Sequence, residues 1–472
     1  MLSVGRRDGL WYSRSVLTFR TRPLAVIAFF CGAVVPIVAA SGDERPLRDY
    51  VGSFRLETGE LVHGGPFVER ATGDESPVRF LFMDTEGLER TALFERESEL
   101  LLRSVQPPGT ITVELVPGRD GTISGIVWKG PEGPVEGRRV NAHEESDFDF
   151  RSQDGVELQG RLLVPDCPDP RPLVVLVSGS GPTTRWAGPF ETFFLNLGMA
   201  VLVYDKRGAG AQDWYEPDLT TLAADTSAAV RAGAGYPRVD ADRIGIWASS
   251  QGGWVGPIAA SLLEPEELAF LVVRVGPGVS EMEAHLHEIR QEARAEGLSG
   301  IGLDHASALR RELYGMAVNG ESLAATDAIV EPFLDEPWYR VAFGEGPVSA
   351  SWSERWWRWA GTNFPVAPSP YLRDLSLPIL WFLAEEDENV PMVPSVVALK
   401  GAFDASPGRD ETLVVIEDSG HSMLVRGGGF RYVDGVWSRM RTWLAARNLS
   451  DEGCHRPQDH VRSGSVTPSD PQ

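Results

Sequence analysis

The sequence predicts an α/β protein, a mostly parallel, doubly wound sheet with a helical insertion, preceded by a small antiparallel β-rich domain. Three observations carry that expectation. From about residue 143 onward, continuous apolar runs of strand length alternate with stretches of helical spacing, the pattern of strand–helix–strand units. Before that point, segments such as Thr110 to Val116 alternate apolar and polar residues with period two, broken by turn residues. Between Gly245 and Trp254 (GIWASSQGGW), a strand-like run stops at two adjacent serines and gives way, at two glycines, to helical spacing.

The chain has 472 residues, more than one ordinary domain holds, so two domains are expected. Residues 1–40 stand apart. Arg6, Arg7, Arg14, Arg20 and Arg22 precede the apolar run Leu24 to Ala40, which ends in small residues. Basic flank, short apolar run and small-residue exit read as a secretory signal peptide. The mature protein is therefore expected to be exported, periplasmic or extracellular in a bacterium, with no stable membrane insertion after cleavage. Lys and Arg total 44 against 67 Asp and Glu, a formal charge of −23; losing the first forty residues removes five arginines and Asp8 and takes it to −27. Such a field repels polyphosphate backbones, which excludes nucleic acid as a partner.

Residues 41–142 form the β-rich domain, with the "GRDGT" stretch at 118–122 as a hairpin turn and glycine and aspartate punctuation at the intervals small antiparallel barrels require. The lone histidines His63 and His143 read as surface or structural residues. From 143 to 448 the strand candidates are "PLVVLVSG", "MAVLVYDKRG", "RIGIWAS", "LAFLVVRVGPG", "LPILWFLAEED" and "ETLVVIEDSG", separated by helical stretches and closed by an amphipathic helix through "VWSRMRTWLAARN". The insertion, about 281–370, carries Trp338, Trp352, Trp356, Trp357 and Trp359; these either fill its own core or narrow access to a site at the carboxyl edge of the sheet. His285 and His287, two residues apart on a helix, point to different faces and make no metal site. Residues 449–472 read as a disordered polar tail. Cys167 and Cys454 read as two unrelated thiols, far apart in sequence. No cysteine–histidine cluster has metal spacing.

A serine hydroxyl becomes a nucleophile only with a base beside it and donors for the oxyanion. A sharp strand-to-helix turn supplies part of both, and crowding there demands small residues two before and two after the nucleophile. If Ser250 is the nucleophile, Ala248 and Gly252 take those places. If Ser249 were, Gln251 would take one, too large for the turn. Ser250 is therefore the candidate. Downstream, in the order serine, acid, histidine, Asp387 leaves a strand within a run of four acids, Glu385 to Glu388, and His421 follows the next strand. The candidate oxyanion donors are the N–H of Gln251 and that of Ser180, or of Gly181, in the glycine turn "SGSG".

These residues resemble the α/β-hydrolase superfamily, over about 145–280 and 371–447, and within it bacterial carboxylesterases related to dipeptidyl-peptidase-like serine hydrolases. "GSGPTTR" (179–185) resembles their oxyanion loop, "YDKRGAG" (204–210) a structural signature after the fourth strand, and "SSQGG" and "AEEDENVP" their elbow and acid loop. Ala248, Ser178 and Ala384 depart from that pattern, where glycine, histidine and glycine are usual. The resemblance implies hydrolysis of carboxylic esters by Ser250, with His421 as base then acid and Asp387 orienting it, a chemistry that needs neither a metal nor an organic cofactor. Short acyl chains are expected to be favoured because the tryptophan-rich insertion would narrow access. The implied partner is a small ester or a short peptide. Two alternatives stand beside this: an exported aminopeptidase or acyl-peptide hydrolase holding a substrate ammonium with Glu281, Glu283 and Glu288, and a non-catalytic binding protein on the same scaffold.

Overall fold

The computed structural model describes residues 45–451 except 68–78, 86–89, 107–109, 141–142, 169, 210–214, 407 and 426–431. The signal segment, Cys31, Cys454 and residues 452–472 lie outside the described residues.

Eight strands, Gly52–Leu56, Leu61–Phe67, Arg79–Asp84, Ala92–Ser98, Leu101–Gln106, Thr112–Pro117, Ile123–Gly130 and Gly133–Arg139 (β1 to β8), pair antiparallel in sequence order and close into a barrel. Alternation along each strand turns one set of side chains inward. Phe54, Phe80, Phe82, Phe94 and Trp128 meet there and fill the interior.

The second unit is an eight-stranded sheet. Its strands are β9 (His143–Asp147), β12 (Gly160–Pro165), β13 (Arg171–Val177), β14 (Ala200–Tyr204), β15 (Val239–Ser249), β16 (Phe270–Arg274), β17 (Ile379–Ala384) and β18 (Glu411–Ile416). Phe150–Arg151 and Glu157–Leu158 (β10 and β11) make a separate small hairpin. Across the sheet the order is β18, β17, β16, β15, β13, β14, β12, β9. The six strands from β18 to β14 run parallel, while β12 and β9 are antiparallel additions at one edge.

Period two splits each central strand between two cores. Leu173, Val175 and Val177 of β13 face a core shared with α2 (Leu219–Ala234), α3 (Gly252–Ser261) and α11 (Met392–Asp404). Val174 and Leu176 face the other, shared with α1 (Pro189–Asn196) and α12 (Val436–Ala445). That second core also takes in Val51 and Met83 from the barrel, so the barrel is seated on α1. Their approach is close: a Cβ on Gly65 of β2 would lie 2.9 Å from the carbonyl oxygen of Gly188.

Between β16 and β17 the insertion folds as α4 (Glu281–Ala295), α5 (Gly300–Val318), α6 (Thr326–Val330), α7 (Pro337–Phe343), α8 (Val348–Ser351) and α9 (Glu354–Asn363), with α10 (Ser369–Leu372) leading back to the sheet. Trp338, Trp352 and Trp357 are buried in a core of its own with Leu313, Tyr314 and Phe364, and Trp356 and Trp359 pack against it. The tryptophans thus hold the insertion together instead of lining an entrance.

Two expectations need correction. The tail does not begin at 449: Leu449 is buried in the second core, Asp451 N–H donates to Leu197 O at 2.7 Å, and its carboxylate pairs with Arg171 at 2.9 Å. Cys167 is not a free thiol; it is disulfide-bonded. Of the two readings of the lone histidines, the structural one holds for His63, which is buried; burial, with nearby arginines, pushes the imidazoles of His63 and His143 down to about 3. Among the described residues, no helix is long and apolar enough to cross a membrane.

Candidate active site

The site is built on the turn between β15 and α3. Ser250 stands there with φ 55°, in the left-handed region that a side chain disfavours. Its amide is held by the carbonyl of Arg274 at 3.0 Å, and its carbonyl accepts from Gly253 N–H at 2.7 Å. The small residues around it follow from packing. A Cβ on Gly252 would fall 2.9 Å from the Ala248 methyl and 3.2 Å from Val177 O, and one on Gly256 would lie 3.3 Å from the same methyl. Ala248 is accommodated where glycine is usual because its methyl enters the space those two glycines leave.

His421, in the loop after β18, is buried, and its Nε2 lies 2.9 Å from Ser250 Oγ. Its Nδ1 lies 2.9 and 3.0 Å from the two oxygens of Asp387. An ionised carboxylate only accepts, so Nδ1 carries the proton and Nε2 is left to accept from the serine hydroxyl. Asp387, also buried, is fixed by two backbone donors, Asn389 N–H and Val390 N–H, each 2.9 Å from Oδ1. Of the four adjacent acids it is Asp387 that holds Nδ1; Glu385 accepts from Asp418 N–H, and Glu388 from the main-chain N–H of His421. Burial works against a charged His421, but the charge and hydrogen bond of Asp387, with Glu388 behind, outweigh it and raise the imidazole above its ordinary 6.5.

Gln251 caps the N-terminus of α3, and neither its N–H nor that of Ser180 is hydrogen-bonded among the described residues. Gly181, the alternative donor, has its N–H engaged by Glu216 Oε2 at 2.6 Å.

Three residues near the site have roles that no sequence motif marks. Arg274, at the end of β16, is buried; it donates to Ser249 Oγ at 3.2 Å and to the carbonyl of Ser422, joining the elbow to the histidine loop. Ser249, the first serine of the pair, therefore serves as an anchor. His287 Nε2 of α4 lies 3.0 Å from the carbonyl of Asp387, so the insertion rests directly on the acid loop. Lys206 bonds to Gly179, Glu216 and Gln251. Arg274 and Lys206 lie at or just past strand ends, where an apolar-strand pattern gives no weight to a polar residue, and the position of His287 on a helix marks no partner in a distant loop.

Of the three acids expected to meet a substrate ammonium, Glu283 does not face the site: it pairs with Arg311 on the outside of the insertion. Glu281 does lie inward, and burial, with the charges of Glu288 and Glu216, pushes its carboxyl well above the usual range. Among the described residues, no group of three or more His, Cys, Asp or Glu could hold a metal ion.

The chain is similar in structure to several esterases and hydrolases. An esterase of Pyrococcus furiosus aligns at 18% identity over 65% of this chain and 92% of its own, with a TM-score of 0.41. Acetyl xylan esterase 1 of a Thermoanaerobacterium species aligns at 15% identity over 71% and 87%, with a TM-score of 0.39. A 2,6-dihydroxy-pseudo-oxynicotine hydrolase aligns at 17% identity over 66% and 70%, with a TM-score of 0.41. No family model and no curated protein matches the chain. Similarity this distant leaves the function to the geometry of the site.

Proposed function

We propose that the protein is a serine hydrolase of the α/β-hydrolase fold that cleaves carboxylic esters through an acyl-enzyme. The observation that carries this reading is the unbroken chain of hydrogen bonds from Ser250 Oγ through His421 to Asp387, mounted on a strained turn at a helix N-terminus. Ser250 Oγ attacks the acyl carbon as its proton passes to His421 Nε2, and the imidazolium is stabilised by Asp387. Negative charge forms on the carbonyl oxygen, towards the N–H groups of Gln251 and Ser180. Collapse expels the alcohol, which takes the proton back from His421. Water then repeats the sequence on the acyl-serine and releases the acid. The insertion meets the acid loop through His287, and that closeness supports a preference for short acyl chains. The disulfide at Cys167 supports an exported protein, because such bonds persist in oxidising compartments.

One second reading is a peptidase that takes the free N-terminus of a short peptide, with Glu281 at the start of α4 as the inward-lying acid. One panel decides. Wild type should turn over p-nitrophenyl esters with rates falling steeply as the acyl chain lengthens, and Ser250→Ala should lose both that activity and labelling by a fluorophosphonate probe. Faster turnover of aminoacyl amides than of simple esters would favour the peptidase. Labelling that survives in Ser250→Ala, or none in wild type, would end the serine-hydrolase reading and leave the binding-protein alternative.

A further inference from the structure

Beside the reacting groups lies a buried cation they do not use. Lys206, on the segment that leaves β14, is buried and directs Nζ at three acceptors: Gly179 O at 2.7 Å, Glu216 Oε1 at 2.9 Å and Gln251 Oε1 at 3.0 Å. An ammonium has three donors, and all three are engaged. The other oxygen of Glu216 accepts from Gly181 N–H at 2.6 Å, and the amide of Lys206 donates to Thr183 O at 2.9 Å. Ser180 therefore sits between two residues that are both fixed, one by the ammonium and one by its carboxylate partner. Gln251, whose N–H points from the start of α3, is held through its side chain by the same ammonium. The loop and the elbow come from different strands, β13 and β15, and these bonds cross from one to the other.

We propose that Lys206 is a positioning residue, one that with Glu216 and the Gln251 side chain sets the spacing between the two N–H groups that receive the oxyanion. This rests on the serine-hydrolase reading and names how its donor pair is assembled. The physical need is clear. Two amides from separate segments stabilise a developing charge only if both are preset at hydrogen-bond distance from it, and the glycines at 179 and 181 leave that loop otherwise free to turn. A buried ammonium linking loop, carboxylate and elbow removes that freedom.

The test uses the purified chain and compares Lys206→Met and Lys206→Arg with wild type on one p-nitrophenyl ester. Disordered donors weaken transition-state binding while leaving ground-state binding nearly intact, so Lys206→Met should lower kcat about 10- to 100-fold with KM changed by less than about threefold. Affinity for an arylboronic acid, which forms a tetrahedral adduct on the serine, should fall by the same factor, and Lys206→Arg should recover part of the loss. Should Lys206→Met fail to fold, Gln251→Leu removes one arm of the clamp and should show a smaller loss confined to kcat. Wild-type kcat and boronate affinity in Lys206→Met, or in Gln251→Leu where that variant is the one read, would overturn the clamp alone. A wild-type chain that neither hydrolyses esters nor labels at Ser250 would overturn the underlying reading and the clamp with it.

Discussion

Asp387 is the side chain whose replacement says most about the chemistry. In Asp387→Asn the shape is kept, but His421 loses the acceptor that fixes its tautomer, and kcat should drop roughly 10⁴-fold. The pH profile carries the same information. His421 must be neutral to accept the serine proton, and its pKa lies above 6.5, so activity is lost as pH falls through that raised value. The acid limb of kcat/KM should therefore sit above pH 6.5 in wild type and move lower in the residual activity of Asp387→Asn. At the same scale, the glycines after the nucleophile answer to packing. A Cβ on Gly253 would come within 2.5 Å of Gly276 Cα, and backbone cannot step aside as a side chain can. Gly253→Ala should destabilise the fold by ~1–3 kcal/mol, read as a lowered Tm.

At the scale of elements, the question is what keeps three loops in register. Arg274 spans two of them, and its positive charge disfavours the imidazolium of His421. Arg274→Met should lower kcat and at the same time move the acid limb of kcat/KM upward, a shift that looser packing alone would not give. The elements themselves differ in how far they could be read in the sequence. The parallel strands β13 to β18 are apolar on both faces and announce themselves as continuous runs. β9 does not, because His143–Asp147 is a charged edge strand paired on one side only, the composition that keeps sheet edges from aggregating. α11 was hidden by Pro391 and Pro394 at its start and Gly401 within it. Ser250, Asp387 and His421 stood out because each occupies a strand end in a fixed chain order. Arg274 and Lys206 did not, because their partners are backbone carbonyls and amide groups that no spacing rule reveals.

Over the whole molecule, the junction of barrel and sheet is sensitive to acid. Ser53 Oγ of β1 lies 2.8 Å from His63 Nδ1 of β2 and donates to Thr192 O of α1 at 3.3 Å, so a buried imidazole stands where the two units meet. Its pKa is depressed to about 3, against 6.5 when unfolded. The unfolded chain therefore takes up a proton that the fold refuses, and this contribution to stability is complete above pH 6.5 and disappears as pH falls towards 3. His63→Gln should lower Tm near pH 7.5 yet flatten its decline between pH 6.5 and 4. The insertion stands in contrast to that junction. It closes over its own aromatic interior and meets the rest of the molecule through a few bonds, among them Trp359 Nε1 to Pro217 O at 3.2 Å and Asn363 Nδ2 to Asp218 Oδ1 at 3.2 Å. A unit with a private interior can exchange outer residues, even whole turns, while the turn around Ser250 keeps its shape, provided the bond from His287 to the acid loop is preserved.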